Sequence, residues 1–162
     1  MTSRTIACLL GVSAALVVGV GCMGQSKQAA RELPRHTVVS QGLGLTLVLP
    51  NRQFTTGQTI QARVIAENLT SQPITINSPT GALVVMRLLR HTGLFWQDVR
   101  SFPESTTMVL TTWTLRGGQQ REFIVSLRVE PNWPTQEVLR LTAELNGRNE
   151  QQTGLDIVIN PR

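Results

Sequence analysis

The sequence is poor in the side chains that build catalytic and metal sites. It contains no tyrosine, two cysteines and two histidines in 162 residues. No HxxxH, CxxC or paired-carboxylate spacing brings metal ligands together, and no GxSxG turn presents a nucleophile. His91 lies in a turn pattern, where a solvated role is typical, and Gly117-Gly118 lacks the spacing of a phosphate loop. We therefore predict no catalytic residue, no metal site and no cofactor.

Charge is also sparse, with 15 basic and 10 acidic residues. The basic residues are almost all arginines, and they are scattered singly along the chain. Nucleic-acid binding proteins instead concentrate basic residues on one face or interleave them with aromatic residues. The sequence therefore predicts a mildly basic protein that does not bind nucleic acid.

The N-terminus has the pattern of an export signal. Arg4 precedes about 15 uncharged, mostly apolar residues, from Ile6 to Val20. A membrane-spanning helix needs roughly 20 such residues, so the run favours a cleaved signal over a permanent span.

The residues that end this run indicate how the chain is retained. Gly19-Val20-Gly21-Cys22 resembles the lipobox of bacterial lipoproteins, and the resemblance implies that Cys22 is acylated and becomes the mature N-terminus. Cys8 lies inside the signal, so Cys22 is left without a disulfide partner. We expect a signal peptide at 1–21, a flexible tether at 22–36, and membrane attachment through lipid on Cys22 at the bacterial cell envelope.

The rest of the chain reads as short strands separated by turn residues. In 58–67 the residues Ile60, Ala62, Val64 and Ala66 alternate with mostly polar ones, which indicates a strand covered on one face. Residues 98–107 are predicted to be a loop. The predicted strands are 44–49, 58–67, 74–76, 82–89, 94–97, 108–115, 120–129, 138–145 and 155–159.

This pattern predicts one all-β domain over 37–162. We expect an immunoglobulin-like β-sandwich of about seven to nine antiparallel strands, without the disulfide of true immunoglobulin domains. A closed barrel of strands is the alternative, because strand spacing does not separate the two architectures.

Several turn and core motifs carry a family resemblance. They are Thr56 to Gln58, Asn68 to Ile74, Phe95-Trp96, Phe102, and Leu115 to Phe123. Together, over about residues 43–146, they resemble the intracellular proteinase inhibitor family named BsuPI. The resemblance implies an immunoglobulin-like fold and, through the family name, inhibition of a protease by a loop at about 99–107.

The aromatic residues supply the remaining candidates for partner contact. Trp96 and Trp113 lie in or beside strands and are expected in the core, whereas Trp133, between two prolines, is expected to be exposed. We therefore select Trp133, Phe102 and Pro103 as candidate contacts with an unknown envelope protein, possibly a protease. The sequence favours a non-enzymatic interaction or structural module, with proteinase inhibition as the alternative.

Overall fold

The computed structural model describes residues 32–148 and 150–162. The signal peptide, Cys22 and the first part of the predicted tether lie outside the described residues. Within them the chain forms eleven strands and no helix. The strands are β1 Arg35–Ser40, β2 Leu43–Val48, β3 Gln53–Thr55, β4 Thr59–Asn68, β5 Ile74–Ser78, β6 Val84–His91, β7 Trp96–Phe102, β8 Thr111–Leu115, β9 Gln120–Arg128, β10 Val138–Leu145 and β11 Gln152–Asn160.

The strands are arranged in three sheets with free edges. The orders are β1-β2-β4-β9, β3-β11-β10-β6-β7 and β5-β8. Every pairing is antiparallel except β3 with β11, which is parallel. The prediction of a β-sandwich is confirmed, but the strand count is higher than the seven to nine expected, and the parallel pairing was not foreseen.

The alternating patterns identified in the sequence form the core. On β4, Ile60, Ala62, Val64 and Ala66 are all 0% exposed, as the period of two predicts. The four apolar residues of β10 from Leu139 to Leu145 are equally buried. The buried face of β4 and the buried face of β10 belong to one hydrophobic cluster. Each fully buried leucine or isoleucine contributes roughly 1.5–3 kcal/mol, so this cluster holds the two larger sheets together.

Strand β1 is the main element that the sequence did not reveal. It begins at Arg35, so the described domain starts earlier than the expected boundary at 37. Gln41 and Gly42 connect β1 to β2, and both have positive φ (49° and 75°). A two-residue turn of this kind matches the natural twist of a hairpin and fixes the register from Arg35 opposite Val48 to Ser40 opposite Leu43.

Two predicted boundaries near the candidate loop are wrong. Residues 98–102, expected in a loop, belong to strand β7, which pairs with β6 through an irregularity at Leu88 and Leu89. β7 is polar because it lies at a sheet edge, where backbone pairing on one side suffices to hold it. Conversely, residues 108–110, expected in a strand, precede β8 and are not paired.

Candidate functional site

The structure separates the three residues selected for partner contact. The expected exposure of Trp133 is wrong: its side chain is 3% exposed. The turn after β9 folds back, since the Trp133 amide donates to the Glu130 carbonyl at 3.1 Å, and the indole packs against Phe102 with ring centroids 5.7 Å apart. Phe102 is half-buried by this contact, and Pro103 is exposed. Two of the three therefore form an internal contact, and Pro103 alone is presented to solvent.

The other two tryptophans divide between core and edge. Trp113 is 7% exposed and packs edge-on against Phe123 at 5.6 Å, which confirms its expected core position. Trp96 is half-buried on β7 and lies outside the core cluster, so its expected core position is wrong. The Arg140 guanidinium covers its ring at 4.4 Å, which accounts for its partial burial.

The most distinctive surface feature lies between β7 and β8, in the loop of residues 103–110. Three consecutive apolar side chains there are strongly exposed: Met108 at 86%, Val109 at 55% and Leu110 at 73%. A run of three apolar residues in solvent is unfavourable unless something covers it, and such runs mark interaction sites. The sequence concealed this site, because Met108 to Leu110 reads as the start of a strand.

Local hydrogen bonds give this loop a defined shape. The Gly81 amide donates to the Thr107 carbonyl at 3.0 Å, and the Val109 amide donates to the same carbonyl at 2.9 Å. The Thr111 hydroxyl reaches the Val109 carbonyl at 3.3 Å. Loop 103–110 is therefore held at its middle and at its C-terminal end.

Charged residues hold the N-terminal end of the loop. Arg100 on β7 donates to Glu130 at 2.9 Å and lies 3.4 Å from Glu104. One guanidinium thus connects the edge strand, the loop and the turn that carries Trp133. Together with the contact between Phe102 and Trp133, this fixes the position from which loop 103–110 leaves the sandwich.

The resolved pKa shifts belong to ion pairs on strand surfaces and not to loop 103–110. A bidentate hydrogen bond from Arg63 lowers the pKa of Glu122 and raises that of Arg63, with contacts of 2.7 and 2.9 Å. The hydrogen bond with Asp156 likewise raises the pKa of Arg140. These pairs join neighbouring strands, so we assign them to sheet stability.

The two histidines do not belong to a metal-binding group among the described residues. His36 and His91 lie on different strands, and His91 accepts from the Gly93 amide at 3.3 Å in its turn. No group of three or more His, Cys, Asp or Glu residues in 32–148 and 150–162 is placed to hold a metal ion. The same residues include no helix long and apolar enough to cross a membrane.

Comparisons with known proteins identify similar folds. No family model and no curated protein matches the chain. The sporulation control protein Spo0M from Bacillus subtilis is similar in structure, with a TM-score of 0.55, 11% identity, and coverage of 76% of this chain. The match covers 51% of the Spo0M chain, so this protein spans about half its length. At this identity the similarity supports the all-β fold alone.

A weaker similarity involves a beta-glucosidase from Listeria innocua in complex with gluconolactone. Its TM-score is 0.43 at 11% identity, and the match covers 80% of this chain and 16% of that one.

Proposed function

We propose that this protein is a non-enzymatic, lipid-anchored β-sandwich of the bacterial cell envelope that contacts a protein partner through loop 103–110. The observation that carries the proposal is the exposed run of Met108, Val109 and Leu110. The lipid anchor rests on Cys22 and the apolar run before it.

The composition of the loop indicates the chemistry of the partner. No charged residue lies between Glu104 and Arg116, and threonines flank the apolar run. Burying the three exposed side chains would contribute roughly 1.5–3 kcal/mol each, which is enough for a specific contact if the loop is already ordered. The hydrogen bonds at Thr107 and Val109 support such preorganisation. The fitting partner surface is an apolar protein groove that accepts hydroxyl contacts at its margin.

Site-specific photo-cross-linking in the native envelope tests this contact. A photoreactive residue at Val109 of the full-length protein should capture one defined partner, and the same residue at Leu94 should not. Leu94 is the matched control because it is 91% exposed and apolar but lies in the β6–β7 hairpin turn. Met108→Ser with Leu110→Ser should remove the cross-link, whereas Leu94→Ser should preserve it. Equal capture from both positions, or capture from Leu94 alone, would refute the role of loop 103–110.

Proteinase inhibition is the second candidate function. It is favoured by the resemblance to the BsuPI family and by one observation, that strands hold both ends of the exposed loop. A preordered loop loses little entropy on entering a protease cleft.

Titration of the full-length protein against a panel of serine proteases tests inhibition. Tight, stoichiometric inhibition that Pro103→Gly weakens would support it. Rapid cleavage within 103–110 without inhibition would exclude proteinase inhibition. The interaction module would then be the remaining candidate function.

A further inference from the structure

A second polar feature lies away from loop 103–110, where β1 approaches β11. It is a groove of about 380 Å³. Arg35 and His36 of β1 line one side, and Arg52, which precedes β3, lines another. Arg140 of β10 and residues 152–156 of β11 complete it. The groove therefore collects three of the scattered arginines, which the sequence alone did not group.

The charges in the groove are incompletely neutralised. Its lining carries three arginines against one carboxylate, that of Asp156. Arg140 takes that carboxylate with contacts of 2.7 and 3.3 Å, and Arg35 lies 3.1 Å from Glu32 in an exposed pair. Arg52 contacts the Asp156 carbonyl at 3.3 Å and forms no ion pair within 32–148 and 150–162. Its remaining guanidinium N–H groups can donate to an anion.

Hydrogen bonds between β1 and β11 position His36 beside these arginines. The Thr153 hydroxyl donates to the His36 carbonyl at 2.8 Å and lies 3.0 Å from His36 Nδ1. The Gly154 amide donates to the same Nδ1 at 3.5 Å. These contacts hold the His36 ring at the margin of the groove.

Glycine at position 154 leaves room for the side chains of β10 that border the groove. A Cβ there would lie 3.0 Å from Thr142 Cγ2 and 3.4 Å from Arg140 Cγ. Glycine inside a strand weakens it and often marks a position where another group approaches the backbone closely. The absence of a side chain here thus lets His36 approach the β11 backbone and keeps Arg140 in place.

We propose that this groove binds a phosphate group, held by the Arg52 guanidinium, with Arg35 and His36 at its margin. The planar guanidinium presents paired donors that match phosphate oxygens. The phosphate could be free or belong to an anionic lipid headgroup, because the groove recognises only the oxyanion. The proposal is independent of the partner contact at loop 103–110.

The test follows the Gly154 amide by NMR in the full-length protein in uncharged detergent micelles. Sodium phosphate is titrated against sodium chloride at matched ionic strength in one arm. In the other, micelles containing phosphatidylglycerol are compared with micelles containing phosphatidylcholine. A saturable shift in the first arm alone identifies free phosphate as the source, and a shift with phosphatidylglycerol identifies a lipid headgroup.

Variants separate a built site from general charge. Arg52→Gln should weaken binding by about tenfold, because it removes a charge-assisted hydrogen bond. Arg116→Gln is the matched control, since Arg116 is an exposed arginine outside the groove, and it should bind as the wild type does. No saturable shift in either arm, or equal weakening by both variants, would overturn the proposal.

Discussion

At the scale of single residues, two glycines with nearly the same backbone angle have different surroundings. Gly147, in the turn between β10 and β11, has a φ of 92°, and Gly57 has a φ of 88°. A Cβ at 147 would collide with the carbonyl oxygen of Asn77, whereas a Cβ at 57 meets nothing within 4 Å. Alanine substitutions at these two glycines therefore distinguish the cost of backbone strain from the cost of a steric collision.

We expect Gly57→Ala to lower the free energy of unfolding by about 1–2 kcal/mol, the cost of a left-handed conformation for alanine. Gly147→Ala should cost about 3 kcal/mol or more, because the collision adds to the same strain. Chemical denaturation of both variants measures the difference. Equal losses would show that the turn moves away from Asn77 freely.

Trp133 is the residue whose role changed most between sequence and structure. If its contact with Phe102 supports the fold, Trp133→Ala should lower the free energy of unfolding by about 3–5 kcal/mol. Trp133→Phe is the control: it keeps an aromatic ring and removes an indole N–H that has no hydrogen-bond partner in the described part of the chain. It should cost clearly less. An alanine variant as stable as the wild type would show that the contact between Trp133 and Phe102 does not stabilise the fold.

At the scale of elements, β4 and β9 are joined by one well-formed ion pair, between Arg63 and Glu122. The pKa of Glu122 is lowered in the folded state, so its contribution to stability is present above the unfolded value of about 4.3 and is lost as the pH falls through the lowered value. We expect Glu122→Gln to be less stable than the wild type near neutral pH, with the difference vanishing between about pH 5 and pH 3.

Denaturation at several pH values measures this effect. Glu67→Gln on β4 is the matched control, because Glu67 forms no ion pair among residues 32–148 and 150–162. A difference for Glu122→Gln that does not change with pH would show that the ion pair is not its source.

The strands differ in how well the sequence predicts them. β4 and β10 were predictable because one face of each is apolar at every second position, and that periodicity is a direct consequence of burial. β7 was not, because an edge strand is held by backbone pairing and its side chains need no pattern. β1 was missed for the same reason. Residues 108–110 of the loop were predicted to begin a strand because they are apolar, and the sequence does not show that they are exposed.

The basic groove between β1 and β11 could not be predicted from the sequence. Arg35, Arg52 and Arg140 are far apart in sequence and meet only because β1 crosses towards β11. Long-range arrangement of this kind depends on the order of strands in the sheets, which strand spacing does not specify.

At the scale of the whole molecule, we propose a sandwich domain with an exposed loop for a partner and a lipid attachment to a membrane. The attachment is the central proposal, because it would decide which partners and which anions the protein meets. It rests on the uncharged run after Arg4 and on the small residues before Cys22. The acyl chains would contribute roughly 0.8 kcal/mol for each buried methylene, and two or more chains anchor stably.

Fractionation combined with intact mass measurement of the full-length protein tests this claim most directly. We predict that the wild type partitions with membranes into detergent, that its mature N-terminus is Cys22, and that this residue carries the mass of its acyl chains. Cys22→Ser should remain unprocessed at that position. A wild-type protein that is free in the periplasm or the medium, with another N-terminus and no added mass on Cys22, would contradict the account.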